Sequence, residues 1–232
     1  MAASPILFLP GLLEDADAFE FQIGRLGKLA PCSVADLTRA GSIAQLAKDA
    51  LREAPEGRFC LAGHSMGGYV ALEVMRQAPE RVERLALLNT HARPDTPEAT
   101  ENRRRLMALA EKDFNAVIET LMPKVLAAEH ACDPDMTGVI TEMALSTGKE
   151  AFLRQERAII GRIDSRPHLA GIRCPTLVVA ARLNALMPVE ILEELARGIP
   201  RSTLAIVERS GHTAPIEQPE EVATLLVAWL KA

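Results

Sequence analysis

The segment GHSMGG, residues 63–68, carries the residue types that a serine nucleophile needs. It fits the pattern G-x-S-x-G and lies between a strand-like run, RFCLA, and a helical pattern, YVALEVMRQ. Its glycines permit a crowded strand–turn–helix connection, which presents the serine hydroxyl at a helix N-terminus. A serine that caps the helix, with glycines kept for packing, would carry the same letters. The flanking strand and helix favour Ser65 as a nucleophile.

A serine hydroxyl needs a base within hydrogen-bond reach. His212, in ERSGHTAPIEQPEEV, follows the last strand-like run, so it should lie at the same carboxyl edge of the sheet as the serine. We expect the side chain of His64 to point away from Ser65, while His91 follows a strand and is placed to line a pocket. Surface positions are predicted for the other two histidines, His130 and His168.

An oxyanion hole would complete the chemistry, because its donors stabilise charge that develops only in the transition state. The N–H of Met66, directly after the serine, is one expected donor. The loop FLPGLLEDAD follows the first strand-like run and offers the second. There Gly11 allows close approach of the backbone, and Leu12 would supply its N–H.

In these motifs the chain resembles the α/β-hydrolase family, and the resemblance extends over nearly its whole length. The resemblance is carried by the PG loop, the GHSMGG turn, the PTLVVA strand with the loop after it, and GHxxxxEQPEEV near the end. It implies an α/β fold: a mostly parallel sheet of about six strands, flanked by helices and carrying an inserted helical cap. The family's first two strands are expected to be missing or vestigial.

The resemblance also implies a catalytic aspartate in the loop ARLNALMP, where this chain has Asn184. The position used by other family members, after the preceding core strand, offers Asn89, and Asp95 is six residues further on. Asp164 and Glu208 are fallback carboxylates. An asparagine can hold the histidine ring but cannot stabilise the imidazolium, and its amide can favour the wrong tautomer. In the serine-protease triad this exchange costs about 10⁴ in kcat, or roughly 5 kcal/mol.

Strand-length apolar runs alternate with helical patterns along the chain, which predicts a mostly parallel sheet covered on both faces. The expected strands are Ile6–Leu9, Ser33–Ala35, Phe59–Ala62, Leu85–Asn89, Leu177–Ala180 and Thr203–Val207. The expected core helices are Ile43–Glu53 with Ser42 as N-cap, a helix from Ser65 to about Gln77, Val189–Arg197, and one from Pro219 onward. The alternation stops between residues 92 and 170, where three or four helices are expected, at roughly Pro97–Lys112, Asn115–Val125, Pro134–Ser146 and Lys149–Ile160. We therefore predict a core of residues 1–91 and 171–232 with a cap of residues 92–170.

The composition excludes several classes of partner. The net charge of −5 argues against nucleic acid, and the basic run Arg103–Arg105 is predicted to be a solvated helix face. The N-terminus has no basic region before its short apolar run, so neither a signal peptide nor a membrane partner is expected, and the chain is placed in the cytoplasm. Cysteine and histidine spacing suggests no metal, and no cofactor is called for. A homodimer stays open.

A serine nucleophile favours acyl chemistry, so the expected reaction is hydrolysis of esters or thioesters of small to medium apolar acids. Met187 and the cap side chains Met107, Leu121, Met122, Met136 and Met143 could line an acyl pocket, although helix packing explains such a stripe more often. A C–C bond hydrolase and an iminopeptidase-like enzyme remain alternatives; the cap shows no acidic cluster for a peptide's amino group. Asn184 also keeps a ligand-binding protein on a hydrolase scaffold open.

Overall fold

The computed structural model describes residues 4–232, in which six parallel strands form one sheet with the order β2-β1-β3-β4-β5-β6. The strands are β1 Ile6–Leu9, β2 Cys32–Val34, β3 Phe59–His64, β4 Val82–Leu88, β5 Thr176–Ala181 and β6 Ser202–Val207. All six predicted strands are present, with small shifts at their ends. The predicted fold class is confirmed.

Nine α-helices accompany the sheet in the described residues. They are α1 Glu20–Leu26, α2 Ile43–Glu53, α3 Met66–Gln77, α4 Pro97–Ala110, α5 Phe114–Val125, α6 Pro134–Ile160, α7 Val189–Gly198, α8 Ala214–Glu217 and α9 Pro219–Lys231. The predicted N-cap of α2 is confirmed, since the Ser42 hydroxyl accepts a hydrogen bond from the Gln45 N–H at 3.3 Å.

Helices cover both faces of the sheet, which explains why its central strands are apolar without alternation. On one face Leu7 and Leu61 pack in a cluster with residues of α2, α3 and α7. On the other face Phe8 packs with residues of α1 and α9, including Trp229, which is only 6% exposed. Burial on both faces is typical of parallel strands.

Helices α4, α5 and α6 fall between β4 and β5, where the strand–helix alternation stops. Gly148 interrupts α6 with φ 79° and ψ 165°, so the two predicted helices on either side of it are both present. These helices share a separate apolar cluster that includes Val117 and Phe152. The division of the chain into core and cap at residues 92 and 170 stays a prediction, and residues 1–3 of the predicted core lie outside the described residues. No helix within residues 4–232 is long and apolar enough to cross a membrane.

Candidate active site

Ser65 sits at a sharp turn between β3 and α3, with φ 51° and ψ −115°, a conformation that non-glycine residues rarely adopt. The turn depends on its glycines. A Cβ on Gly63 would lie 2.5 Å from the Gly67 carbonyl oxygen, and a Cβ on Gly67 would overlap the Leu9 carbonyl oxygen. The Thr90 hydroxyl secures the turn from β4 by donating to the Ser65 carbonyl at 2.8 Å. The sequence GHSMGG thus builds a strained turn that lifts one hydroxyl above the sheet.

His212 lies in the loop after β6, and its Nε2 is 2.8 Å from the Ser65 Oγ. The His212 N–H donates to the Val125 carbonyl at 2.9 Å, which ties this loop to the end of α5. Burial lowers the pKa of His212 well below its ordinary value, and electrostatic interactions with the His64 and His91 rings oppose its protonation further. The imidazole is therefore neutral near pH 7, as a general base must be.

Asn184 contacts the other side of the imidazole: its Nδ2 is 3.1 Å from the His212 Nδ1. Two backbone donors set this orientation, because the Asn184 Oδ1 accepts from the N–H groups of Leu186 at 3.0 Å and Met187 at 3.1 Å. A flipped amide would turn its NH₂ group toward both donors. The amide nitrogen therefore faces the ring, and it can only donate to Nδ1.

Asn89, the alternative acid position, does not contact the His212 ring. Its Oδ1 accepts from the Ala181 N–H at 2.8 Å and its Nδ2 donates to the His212 carbonyl at 2.7 Å. Asn89 also has a positive φ of 44°. It therefore fastens the end of β4 to β5 and to the His212 loop.

The three other carboxylates considered for the acid are paired with arginines. Asp95 accepts from Arg162 at 2.7 Å, and although burial would raise its pKa, Arg103 and Arg162 lower it. Among the hydrogen bonds of residues 4–232, none joins a carboxylate to the His212 ring. The two remaining pairs are Asp164–Arg166 and Glu208–Arg182.

Glu14 is a buried carboxylate in the same cavity lining as Ser65 and His212, and the sequence reasoning missed it. Its Oε2 accepts from the Gly11 N–H at 2.6 Å and lies 2.9 Å from the His64 Nδ1. Burial alone would lower the pKa of His64, but the Glu14 carboxylate raises it. The His64 Nε2 is 2.8 Å from the His212 carbonyl oxygen. His64 does not line the cavity described below, so we assign it to positioning the His212 loop.

The two backbone N–H groups predicted to form an oxyanion hole have no hydrogen-bond acceptor in the described part of the chain, and their role stays a prediction. In residues 4–232, neither the Leu12 N–H nor the Met66 N–H has a protein acceptor. The loop holds its shape because Leu13 takes a positive φ of 61° and its N–H donates to the Gln155 Oε1 of α6 at 3.1 Å. The Leu12 and Met66 groups are thus available to bind an oxyanion.

A second missed carboxylate, Glu217, holds the His212 loop against the cap. Its Oε2 accepts from the Gly211 N–H at 3.0 Å, from the Ala127 N–H at 2.8 Å, and lies 2.9 Å from the His130 Nδ1. His130 was expected at the surface, and this was wrong: its side chain is only 13% exposed because it packs against Glu217. The only indication of this role in the sequence was that a glutamate follows His212 by five residues.

A cavity of about 430 Å³ opens over Ser65. His91, Met187 and His212 line it with the serine, as do nine other apolar residues: Leu12, Pro94, Ala99, Leu106, Leu121, Val125, Ile159, Leu186 and Ile191. Of the five side chains proposed for an acyl pocket, only Leu121 is in this lining. Met107 and Met122 instead pack in the apolar cluster that α4, α5 and α6 share, which agrees with the predicted packing role.

Arg103 was expected on a solvated helix face, and this was wrong. It lines the cavity, and its Nη1 donates to the Glu156 Oε2 at 2.8 Å. Arg104 and Arg105 are exposed, as predicted. No group of three or more His, Cys, Asp or Glu side chains with metal-binding geometry is present in the described part of the chain.

The comparisons with known proteins agree with this architecture. A family model described as the alpha/beta hydrolase family matches residues 6–225. A putative carbamate hydrolase, RutD, of Rhizobium rhizogenes is 28% identical over 207 residues, covering 85% of this chain and 77% of the relative. The AB hydrolase superfamily protein YisY of Bacillus subtilis is 30% identical over 176 residues, covering 72% of this chain and 64% of the relative.

Two solved structures are similar to the whole chain. A thermophilic esterase from Thermogutta terrifontis superposes with a TM-score of 0.91 at 29% identity, covering 99% of this chain and 90% of that one. An enol-lactonase from Burkholderia xenovorans gives a TM-score of 0.90 at 24% identity, covering 99% and 92%, and this likeness shows the fold alone. The family model spans nearly all of the described sheet and helices. The chain is therefore a hydrolase that belongs to the alpha/beta hydrolase family.

Proposed function

We propose that this hydrolase cleaves carboxylic esters or thioesters through an acyl-enzyme on Ser65. The observation that carries the proposal is the 2.8 Å contact between the Ser65 Oγ and the His212 Nε2, both of which line the cavity. The free N–H groups of Leu12 and Met66 support it, since acyl transfer is the chemistry that needs an oxyanion hole.

The steps follow from the positions of these groups. Ser65 attacks the substrate carbonyl while its proton passes to the His212 Nε2, and the carbonyl oxygen becomes an oxyanion held by the Leu12 and Met66 N–H groups. His212 then returns the proton to the departing alcohol or thiol, which leaves the acyl group on Ser65. Water deprotonated by His212 releases the acid and restores the serine.

Asn184 slows the first step in this scheme. An amide nitrogen that faces the His212 Nδ1 favours the ring tautomer with its proton on Nε2. In that tautomer the Nε2–H donates a hydrogen bond to the Ser65 Oγ, so Nε2 cannot accept the serine proton. The productive tautomer would set an Nδ1–H against the Asn184 NH₂ group. Flipping the amide instead would lose two hydrogen bonds, each worth about 1 kcal/mol. We therefore expect turnover that is real but slow.

The names of the relatives support a carbonyl substrate with a heteroatom leaving group. A carbamate and an ester share this feature, and both reactions need a nucleophile, a base and an oxyanion hole. The apolar lining contributed by residues such as Leu106 and Ile159 suits an apolar acyl or alkyl chain. This supports esters of small to medium organic acids as substrates.

Labelling with a fluorophosphonate probe and hydrolysis of p-nitrophenyl butyrate test the proposal together. We expect one phosphonate per chain on Ser65, found by peptide mass spectrometry, and slow release of p-nitrophenol. Ser65→Ala should abolish both. Ser146→Ala, an exposed serine of the cap, is the matched control and should retain both. Unchanged hydrolysis by Ser65→Ala would refute the acyl-enzyme.

A further inference from the structure

Glu156 leaves one carboxylate oxygen without a partner in the wall of the active-site cavity. Its side chain is fully buried in α6 and lines the cavity. The Oε2 accepts from Arg103, but the Oε1 has no hydrogen-bond partner within residues 4–232. A buried polar atom without a hydrogen-bond partner destabilises the fold, so such an atom in a native structure calls for an explanation. A ligand that donates a hydrogen bond would remove this destabilisation.

Tyr69 offers the complementary group, a hydroxyl proton with no acceptor. The Arg93 N–H donates to the His91 Nδ1 at 3.1 Å, so the proton of the neutral ring is on Nε2. The His91 Nε2 lies 3.1 Å from the Tyr69 Oη and therefore donates to it. Burial, with the nearby arginines, lowers the pKa of His91 to about 4, which keeps the ring neutral. Within the described residues the Tyr69 O–H then has no acceptor of its own.

Tyr69 lies one turn after Ser65 on α3, and both residues line the same cavity as Glu156 and His91. Residues four apart project from the same face of a helix. The Tyr69 ring is held in place by the Arg162 guanidinium, which lies 4.6 Å from its centroid. Burial raises the pKa of Tyr69, so its hydroxyl stays protonated and able to donate.

The charges around these two groups balance, which bears on the kind of ligand. Arg103 pairs with Glu156 and Asp95, and Arg162 pairs with Asp95, so two guanidinium groups face two carboxylates. Of the other cations in the lining, Lys124 is exposed and Arg93 pairs with Glu194. A substrate carboxylate would meet Glu156 and Asp95 without a surplus of positive charge. An uncharged polar group fits better.

We propose that Tyr69 and Glu156 form a polar subsite beside Ser65 that binds a hydroxyl or primary amide group of the substrate. The group accepts from the Tyr69 O–H and donates to the Glu156 Oε1, so it satisfies both unpartnered atoms at once. This inference rests on the proposed ester hydrolysis and narrows it: the preferred ester carries a second, hydrogen-bonding group on one of its chains. The apolar side chains of the lining, such as Leu106 and Ile159, are available to contact the rest of the molecule.

Binding to Ser65→Ala tests the subsite without any turnover. The ligands are unsubstituted alkyl esters and matched esters with a terminal hydroxyl, on the acyl chain in one series from propanoyl to hexanoyl and on the alcohol in another. A third series ends in a carboxylate. Calorimetry should show at least one hydroxy ester binding about tenfold tighter than its unsubstituted match, because the hydroxyl makes two hydrogen bonds that the unsubstituted ester leaves unmade.

Adding Tyr69→Phe or Glu156→Gln to Ser65→Ala should abolish that preference while the affinity for unsubstituted esters stays within about threefold. Glu111→Gln, an exposed cap glutamate, is the matched control and should keep the preference. If Glu156→Gln does not fold, Tyr69→Phe alone decides. No preference in either hydroxy series, or a preference that survives Tyr69→Phe, overturns the proposal, and so does tightest binding of the carboxylate series. A hydroxyl preference in Ser65→Ala beside a native chain that hydrolyses no ester would instead contradict only the acyl-enzyme.

Discussion

The Asn184 amide places its nitrogen, and not its oxygen, against the His212 ring. An aspartate in the same place could still accept the N–H groups of Leu186 and Met187 on one oxygen, with the other oxygen facing the His212 Nδ1. In this chain an NH₂ group occupies the second place, 3.1 Å from Nδ1. The difference reverses the direction of the hydrogen bond to the ring, and with it the nitrogen that carries the ring proton.

The pH dependence of hydrolysis follows from the environment of His212. Its pKa is lowered well below the ordinary value, so the neutral form persists as the pH falls. We expect kcat/KM of the native chain to stay level from pH 8 to below pH 6 and to decline only when the pH passes the lowered pKa. In Asn184→Asp the new carboxylate stabilises the imidazolium, so the declining limb should move to higher pH. If kcat/KM of Asn184→Asp declined at the same pH as in the native chain or at a lower pH, residue 184 would not act on the His212 ring as proposed.

Among single residues, the sequence predicted those that belong to short motifs but not those whose side chains hold the motif loops in place. Ser65, His212 and Asn184 were named from short patterns, and the structure brings them into one chain of contacts. Glu14 and Glu217 were not named, because their roles depend on which backbone groups the folded loops bring to them. A glutamate at either position looks like an ordinary surface residue in the sequence.

Among the helices, α6 depends on Gly148. Its φ of 79° with ψ of 165° belongs to a region that is essentially restricted to glycine, and this bend divides α6 into two helical halves. Gly148→Ala should lower the free energy of unfolding by about 1–3 kcal/mol, measured by urea denaturation, although an added Cβ would meet nothing within 4 Å.

Gly138→Ala is the matched control, because Gly138 is helical and an added Cβ there also meets nothing within 4 Å. Removing a glycine from a helix interior should raise the free energy of unfolding by about 0.5–1 kcal/mol. Equal effects of the two substitutions would show that backbone conformation at Gly148 is not the cause.

Elements were the most predictable feature of this chain, for a physical reason. Strands buried on both faces are short apolar runs, and helices such as α2 begin at a serine cap, so local sequence determines both. The interior of the cavity was less predictable. Arg103 and Asp95 lie on different parts of the insertion, and only the packing of α4 against α6 turns them and Glu156 inward.

For the molecule as a whole, Glu217 connects the helical insertion to the His212 loop. Its two carboxylate oxygens accept hydrogen bonds from the backbone N–H groups of Gly211 and Ala127 and from the hydroxyls of Ser210 and Thr213. The His130 ring also contacts this carboxylate. The position of His212 over Ser65 therefore depends on contacts made with the end of α5 and the segment after it.

Glu217→Gln should weaken this connection, because an amide cannot accept from all of these donors and brings two donors of its own. We expect a loss of about 2–3 kcal/mol in the free energy of unfolding and a lower kcat in the folded variant. Glu220→Gln, at the exposed start of α9, is the control and should change neither. A Glu217→Gln protein of native stability and activity would show that the connection is dispensable.

The rate of ester hydrolysis by Asn184→Asp, compared with that of the native chain, shows whether Asn184 occupies the position of the catalytic acid. Asn115→Asp, an exposed asparagine on α5, controls for the added charge, and Ser65→Ala gives the blank. If Asn184 occupies the acid position and holds His212 in the unproductive tautomer, Asn184→Asp should gain several hundred-fold or more in kcat, toward the roughly 10⁴ that this exchange costs in a serine triad. A native chain that is already fast, and that the aspartate changes by less than about threefold, would contradict the account and point to a different group behind His212.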